Sequence, residues 1–294
     1  MLMRLRKQIG FTLIELISVM VVLGIVMLGV TNFIATGIQI YVDVSERDQL
    51  LGDSRFVVER LNRELRNALP NSVRVAGDAN NHCIEFVPIR WSTFYEDIAV
   101  GAETASGTIN AINLVGITSG DNYIDNVDAD DFVIVYGTEQ THIYETSQTS
   151  GTSRKFGLAG ITNTALATIT LDNVVQFATD SPMSRLYVID EQTVSYCLRN
   201  EGGNGANSGA KNLYRVTGNY GLTQTVYSTG GVLMAENIDN ALSANPASSA
   251  GADDPFRVYE NTLQRNSFTR VRLRFKRNDE IVEFNNEVHI PNTP

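Results

Sequence analysis

The chain has 294 residues, 43% of them hydrophobic and 19% charged, with 23 glycines and 7 prolines in no fibrous period. These proportions exclude collagen, coiled-coil rods and wholly disordered chains, and leave one large domain or two of moderate size. The net charge is −10, with residues 1–10 purely basic (Arg4, Arg6, Lys7) and the excess of acid in residues 70–294, a balance that argues against nucleic acid as a partner, because phosphate must be neutralised by lysine and arginine.

The first element is the basic leader, residues 1–10. Residues 11–42 follow with Glu15 as their only formal charge, and about 20 apolar residues suffice to span a bilayer as a helix. With the positive leader before it and Tyr41 near its far end, this segment should insert with its N-terminus in the cytoplasm, placing everything after about residue 42 on the other side. A cleaved secretory signal is the alternative, but no convincing A-x-A site follows the apolar run, which also carries a carboxylate near its start.

From residue 43 to residue 69 the charges return and Leu50, Leu51, Val57, Val58, Leu61, Leu65 and Leu69 recur every three or four residues, the spacing of one helix face. Arg60 and Glu64, like Arg55 and Glu59, stand at i,i+4, which adds a few tenths of a kcal/mol each. Nothing breaks the pattern before Pro70, so one near-continuous helix from about Thr12 to Ala68 is expected, roughly 85 Å long at 1.5 Å per residue. Gly52 is tolerated at a cost of about 1 kcal/mol.

Beyond Pro70 the period switches to two. Strand-like runs stand at Ser72 to Ala76, Cys83 to Ile89, Phe132 to Tyr136, Leu186 to Ile189, Thr193 to Leu198, Leu213 to Val216, Phe268 to Lys276 and Ile281 to Ile290, the last two forming a terminal hairpin. Asn200 to Ala210 and Ser243 to Asp254 read as loops with too little apolar content to pack. The expected architecture is α+β: a long N-terminal helix packed on an antiparallel, loop-rich β domain spanning residues 70–294.

The run Gly10 to Leu16 is GFTLIEL, between the basic leader and the apolar helix. It resembles the class III signal of type IV pilins and type II secretion pseudopilins. The resemblance implies a bacterial inner-membrane protein, single-pass with a periplasmic C-terminal domain, cut by a prepilin peptidase between Gly10 and Phe11, N-methylated at Phe11 and assembled into a pilus or pseudopilus. Its partners would be that peptidase, the major and other minor pilins, and an inner-membrane assembly platform. Independently, a carboxylate five residues into a membrane span costs on the order of 3 kcal/mol unless it finds a partner, and such groups are functional by default. Glu15 therefore either neutralises the terminal amine of a neighbouring subunit during assembly or snorkels to the interface.

Further along, Leu61 to Val75 (LNRELRNALPNSVRV), Val194 to Leu198 (VSYCL), Asn212 to Val216 (NLYRV) and Glu287 to Pro294 (EVHIPNTP) resemble minor pilins of the mannose-sensitive haemagglutinin (MSHA) pilus, relatives of J-type pseudopilins and W-type minor pilins. That family implies a structural role in priming or capping a filament that supports adhesion. A secretion pseudopilin is the nearest rival, and a tip adhesin or ligand-binding module the rival from another class. One departure from major pilins is that no proline lies between Phe11 and Leu69. Asn32 stands near the usual proline position, and Gly24 and Gly29 are left to loosen the helix.

Cys83 and Cys197 are the only cysteines. In an oxidising compartment they are expected to pair, the alternative being two buried thiols. Asp121, Asp125, Asp128, Asp130 and Asp131 form an acidic stretch without EF-hand spacing, read as a solvated turn ahead of the strand at Phe132, with a calcium site as the alternative. His82, His142 and His289 are scattered, and no zinc or nucleophile motif is present, so no catalytic residue, metal or cofactor is assigned. Trp91, Phe94 and Tyr95 read as core packing after a strand, or else as an exposed binding patch.

Overall fold

The computed structural model describes residues 11–112, 128–162, 166–201, 210–248, 251–259, 267–277 and 280–290. The chain divides into two compact units, Met1–Leu51 and Gly52–Pro294. Helix α1 (Leu13–Arg66) begins in the first and ends in the second.

In the first unit α1 leaves most of its apolar side chains uncovered: Ile14, Leu16, Val19, Leu23, Val26, Phe33 and Ile40 are all more than half exposed, and only near its end is Leu50 buried. Leaving each in water costs about 1.5–3 kcal/mol. The helix is long and apolar enough to cross a membrane. Three of its hydroxyls are satisfied within the helix, Ser18 Oγ donating to the Glu15 carbonyl at 2.9 Å, Thr31 Oγ1 to the Met27 carbonyl at 2.8 Å and Thr36 Oγ1 to the Asn32 carbonyl at 2.9 Å. That is how hydroxyls are tolerated where no water is at hand. With no proline the helix runs unbroken through Gly24, Gly29 and Asn32.

In the second unit α1 turns amphipathic as its spacing predicts. Val57, Val58, Leu61 and Leu65 are buried, while Glu64 accepts from Arg60 at 2.9 Å and from Arg215 of the sheet at 3.0 Å. The helix stops because Pro70 has no N–H and disfavours helical geometry at Leu69. Asn67 and Ala68 close the last turn onto the Glu64 and Leu65 carbonyls, and Leu69 N–H turns to the Val87 carbonyl at 2.8 Å.

Two antiparallel systems follow. The main sheet uses β1 (Arg74–Gly77), β2 (Asn81–Phe86), β9 (Thr193–Arg199), β10 (Lys211–Gly218), β11 (Val232–Ile238), β12 (Phe256–Tyr259), β13 (Phe268–Arg277) and β14 (Glu280–His289). Its order is β1-β2-β9-β10-β11-β13-β12. β13 pairs along its whole length with β14, and on its other edge meets β12 and, at Phe275, β11. The second system is a closed barrel, β3-β4-β7-β6-β5-β8, of β3 (Ile89–Asp97), β4 (Ser106–Ile112), β5 (Phe132–Val135), β6 (Lys155–Thr162), β7 (Leu166–Val175) and β8 (Arg185–Ile189). A short helix α2 (Gln140–Tyr144) lies between β5 and β6.

The barrel is an insertion. β2 and β9 are neighbours in the main sheet, and the strands described between them in sequence, β3 to β8, are those of the barrel. Trp91, Tyr95, Val133, Phe156, Ile169 and Val188 belong to its core. A second cluster joins the end of α1 to the barrel and α2 through Leu69, Ile134, Ile143, Tyr144, Tyr187 and Ile189. Cys83 and Cys197 face each other across β2 and β9 and form a disulfide closing 114 residues, so the bridge clasps the root of the inserted barrel.

Three expectations need correction. The strand-like runs missed most of the barrel, because β4 (SGTINAI), β6 (KFGLAGIT) and β7 (LATITLDNVV) are rich in Gly, Ala, Thr and Asn: small Ala111 and Ala167 take core positions while Thr108, Asn110, Thr170 and Asn173 are exposed, so the alternation carries few large apolar side chains. Trp91, Phe94 and Tyr95 do not follow a strand; they lie within β3, Trp91 and Tyr95 buried and Phe94 half-buried beneath the Arg185 guanidinium. The stretch Ser243 to Asp254 does pack, through polar groups: Asp254 is buried and accepts from Ser243 Oγ at 2.7 Å, and His82 Nε2 meets the Ser243 carbonyl at 2.8 Å. Most of the other loop, Asn200 to Ala210, lies outside the described residues. The expected terminal hairpin forms, and its strands reach further into the expected turn, with Arg277 opposite Glu280.

Candidate functional site

The residues singled out at the N-terminus converge on the first turn of α1. Gly10 lies outside the described residues, and Phe11 and Thr12 precede the helix. Thr12 and Glu15 stand in the T-x-x-E arrangement of a capping box, in which two orphan N–H groups of a helix start are satisfied reciprocally. Glu15 N–H donates to Thr12 Oγ1 at 3.4 Å, while Glu15 Oε2 accepts from Thr12 N–H at 3.1 Å and from Thr12 Oγ1 at 3.0 Å. Oε1 takes no hydrogen bond among the described residues, and the carboxylate is exposed. One oxygen thus anchors its own helix and the other remains open to a donor from outside. A negative charge here also sits favourably at the positive end of the helix dipole. Sequence reading assigned Glu15 but did not single out Thr12; the T-x-x-E signal was present in the motif itself.

The remaining candidates do not join this site. Cys83 and Cys197 are fully buried in the main sheet. Asp121 and Asp125 lie outside the described residues. Asp128 and Asp130 are exposed in the turn before β5, but Asp131 is buried rather than solvated: it accepts from the backbone N–H of Asp128 at 3.0 Å and of Glu191 at 3.2 Å. Burial pushes its carboxyl above the usual range, opposed by the Asp128 N–H and by Arg90. His142 lies on α2, and burial and the charge of Arg154 lower its imidazole. His289 sits on β14 beside Phe268. The three histidines stay apart, and no group of three or more His, Cys, Asp or Glu side chains among the described residues is placed to hold a metal.

Two buried ionic sites lie elsewhere in the fold. Arg74 Nη2 donates to Glu85 at 2.7 Å and to the Gly221 carbonyl at 2.9 Å, Nη1 to the Leu222 carbonyl at 3.0 Å, and the guanidinium stacks 3.5 Å over Tyr144. Burial raises the Glu85 carboxyl, and Arg74 pulls it back down. Lys155, buried on β6, donates to the Ile143 carbonyl at 2.6 Å and lies 3.8 Å from the Tyr220 ring. Burial pushes its ammonium down to about 7, with Glu145 opposing.

Residues 5–31 match the prokaryotic N-terminal methylation motif, the prepilin signal of type IV pilin-like proteins. No curated protein and no solved structure matches the chain.

Proposed function

We propose that this chain is a minor pilin of an MSHA-type pilus, similar to the MSHA biogenesis protein MshO, acting in priming or at the tip of the filament and so supporting surface adhesion. It is made as an inner-membrane precursor with a periplasmic C-terminal domain. The prepilin peptidase hydrolyses the peptide bond between Gly10 and Phe11, and the new α-amino group of Phe11 is methylated and stays cationic. Major and other minor pilins and the inner-membrane assembly platform are its partners.

The observation that carries this reading is the methylation motif seated at the start of an exposed apolar helix, with Glu15 Oε2 tied to Thr12 and Oε1 open. A neighbour's cationic amine is the natural donor for that open oxygen in lipid, where an unpartnered carboxylate is expensive. Glu15→Val removes the charge and makes the segment more apolar, so insertion and cleavage persist while assembly fails. Glu15→Gln keeps the size without the charge and is nearly as harmful. Each variant, expressed in a strain lacking the native protein, is assayed for processed chain in membranes and for surface pili. Full piliation with Val would leave Glu15 as a snorkelling residue. A J-like pseudopilin of type II secretion shares the same chemistry; deletion of the gene separates the two, with loss of surface pili expected here and retention of exported enzymes in the periplasm expected for the rival.

A further inference from the structure

The outer face of β12, β13 and β14 carries a row of arginines in a protein that is acidic overall. Arg270, Arg272 and Arg274 alternate along β13 and therefore share one face. Two of them are neutralised within the fold. Arg272 holds Glu283 through two hydrogen bonds, at 2.7 and 3.1 Å, and Arg274 lies 3.0 Å from Asp253. Arg270 breaks the pattern. Directly opposite it on β12 stands Arg257, a like-charge cross-strand pair of the kind that destabilises a sheet. Among the described residues neither has a carboxylate within 4 Å. Arg270 reaches the Ala252 carbonyl at 3.4 Å and has a buried Nε without a partner, and Arg257 contacts the Tyr259 ring at 5.0 Å. Glu287 is opposite Arg270 on the other side but makes no ion pair with it.

The next row along the same face is aromatic. Tyr259 stacks on Phe268 at 4.4 Å between ring centroids, and His289 follows Phe268 at 5.6 Å. Alternate residues on a strand face are about 6.8 Å apart, so a chain of sugar rings can reach from the guanidinium pair to this row. His289 is exposed, on the edge strand of the sheet.

We propose that Arg257 and Arg270 bind the carboxylate or sulfate group of an acidic saccharide, with the Tyr259–Phe268–His289 row receiving the adjacent sugar. Among the described residues these two guanidiniums have no acid of their own, and they supply the paired N–H donors that an oxyanion accepts; the exposed His289 ring at the end of the aromatic row adds a polar partner for the hydroxyls that a sugar carries and an acidic peptide of glutamates lacks. The site stands or fails independently of how the subunit assembles.

The test uses the full-length protein in nonionic detergent, titrated with trigalacturonate, maltotriose and hexaglutamate at constant ionic strength. Trigalacturonate is expected to bind, inorganic sulfate to compete with it, and maltotriose to bind at least tenfold more weakly. The double variant Arg257→Gln/Arg270→Gln, with its circular dichroism unchanged, should lose at least tenfold in affinity. Glu287→Gln, which removes the carboxylate opposite Arg270, should bind more tightly. Undiminished binding by the double variant, or equal binding of maltotriose, would overturn the site; equal or tighter binding of hexaglutamate would overturn the saccharide as its ligand.

Discussion

Lys155 gives the fold a pH dependence that can be worked from its surroundings. Its ammonium is enclosed by the barrel wall, Tyr220 and Phe132, and burial brings it from 10.5 to about 7. Above pH 7 the folded protein therefore holds Lys155 neutral, while the unfolded chain keeps the proton up to about pH 10.5. Because the unfolded state binds more protons in this window, stability rises with pH, by about 1.4 kcal/mol per pH unit. Below pH 7 both states are charged and the contribution is flat, with the burial penalty present in full. Lys155→Met removes the titrating group while filling similar space. Between pH 7.5 and 9.5 the parent should gain about 2.5 kcal/mol relative to this variant, which for a domain of this size is roughly 5–10 °C in Tm. Taking the difference between the two proteins cancels the titration of every other group. Trp91, the only tryptophan, lies in the barrel core, so its fluorescence during thermal unfolding reports on the part of the fold that holds Lys155. Parallel Tm profiles across this pH range would refute the assignment of a buried, neutralised lysine.

Three further outcomes are expected. Replacing both Cys83 and Cys197 with serine should cost up to about 4–5 kcal/mol, since the bridge closes 114 residues; unfolded, unreduced parent protein should show no reactive thiol on labelling. Glu85→Gln leaves the buried Arg74 charge facing carbonyls and the Tyr144 ring, and should destabilise by about 3 kcal/mol in a denaturant titration. Gly10→Leu should leave a full-length precursor on a gel, because the peptidase must approach the backbone closely at the scissile bond; a normally shortened chain would contradict cleavage at that position.

The helix and its two halves were legible because each rests on a strong, local signal: an uncharged run, then a three-to-four spacing that Pro70 ends. The terminal hairpin was legible for the same reason, since Thr269, Val271, Leu273 and Phe275 alternate cleanly with charged residues and are buried. The barrel was not. Its core includes the small Ala111 and Ala167, and β6 carries Gly157 and Gly160, so large apolar side chains alternate too weakly along these strands to be read. Long-range polar pairs were equally hidden. His82 and Asp254 are separated by most of the chain, yet both are buried and their side chains lie 3.5 Å apart, and nothing local in either segment signals the other. At the N-terminus the whole motif was readable, but Thr12 looked like one more matched letter until its hydroxyl was seen in hydrogen bonds with Glu15.

The central claim, that this chain is processed and built into a surface filament, is tested most directly by mass spectrometry of pili sheared from cells that express it. The account predicts a chain among the minor components that begins at N-methylated Phe11, lacks residues 1–10 and carries Cys83 and Cys197 as a disulfide. Absence of the chain from sheared filaments, or its presence only in membranes with residues 1–10 still attached, would contradict it.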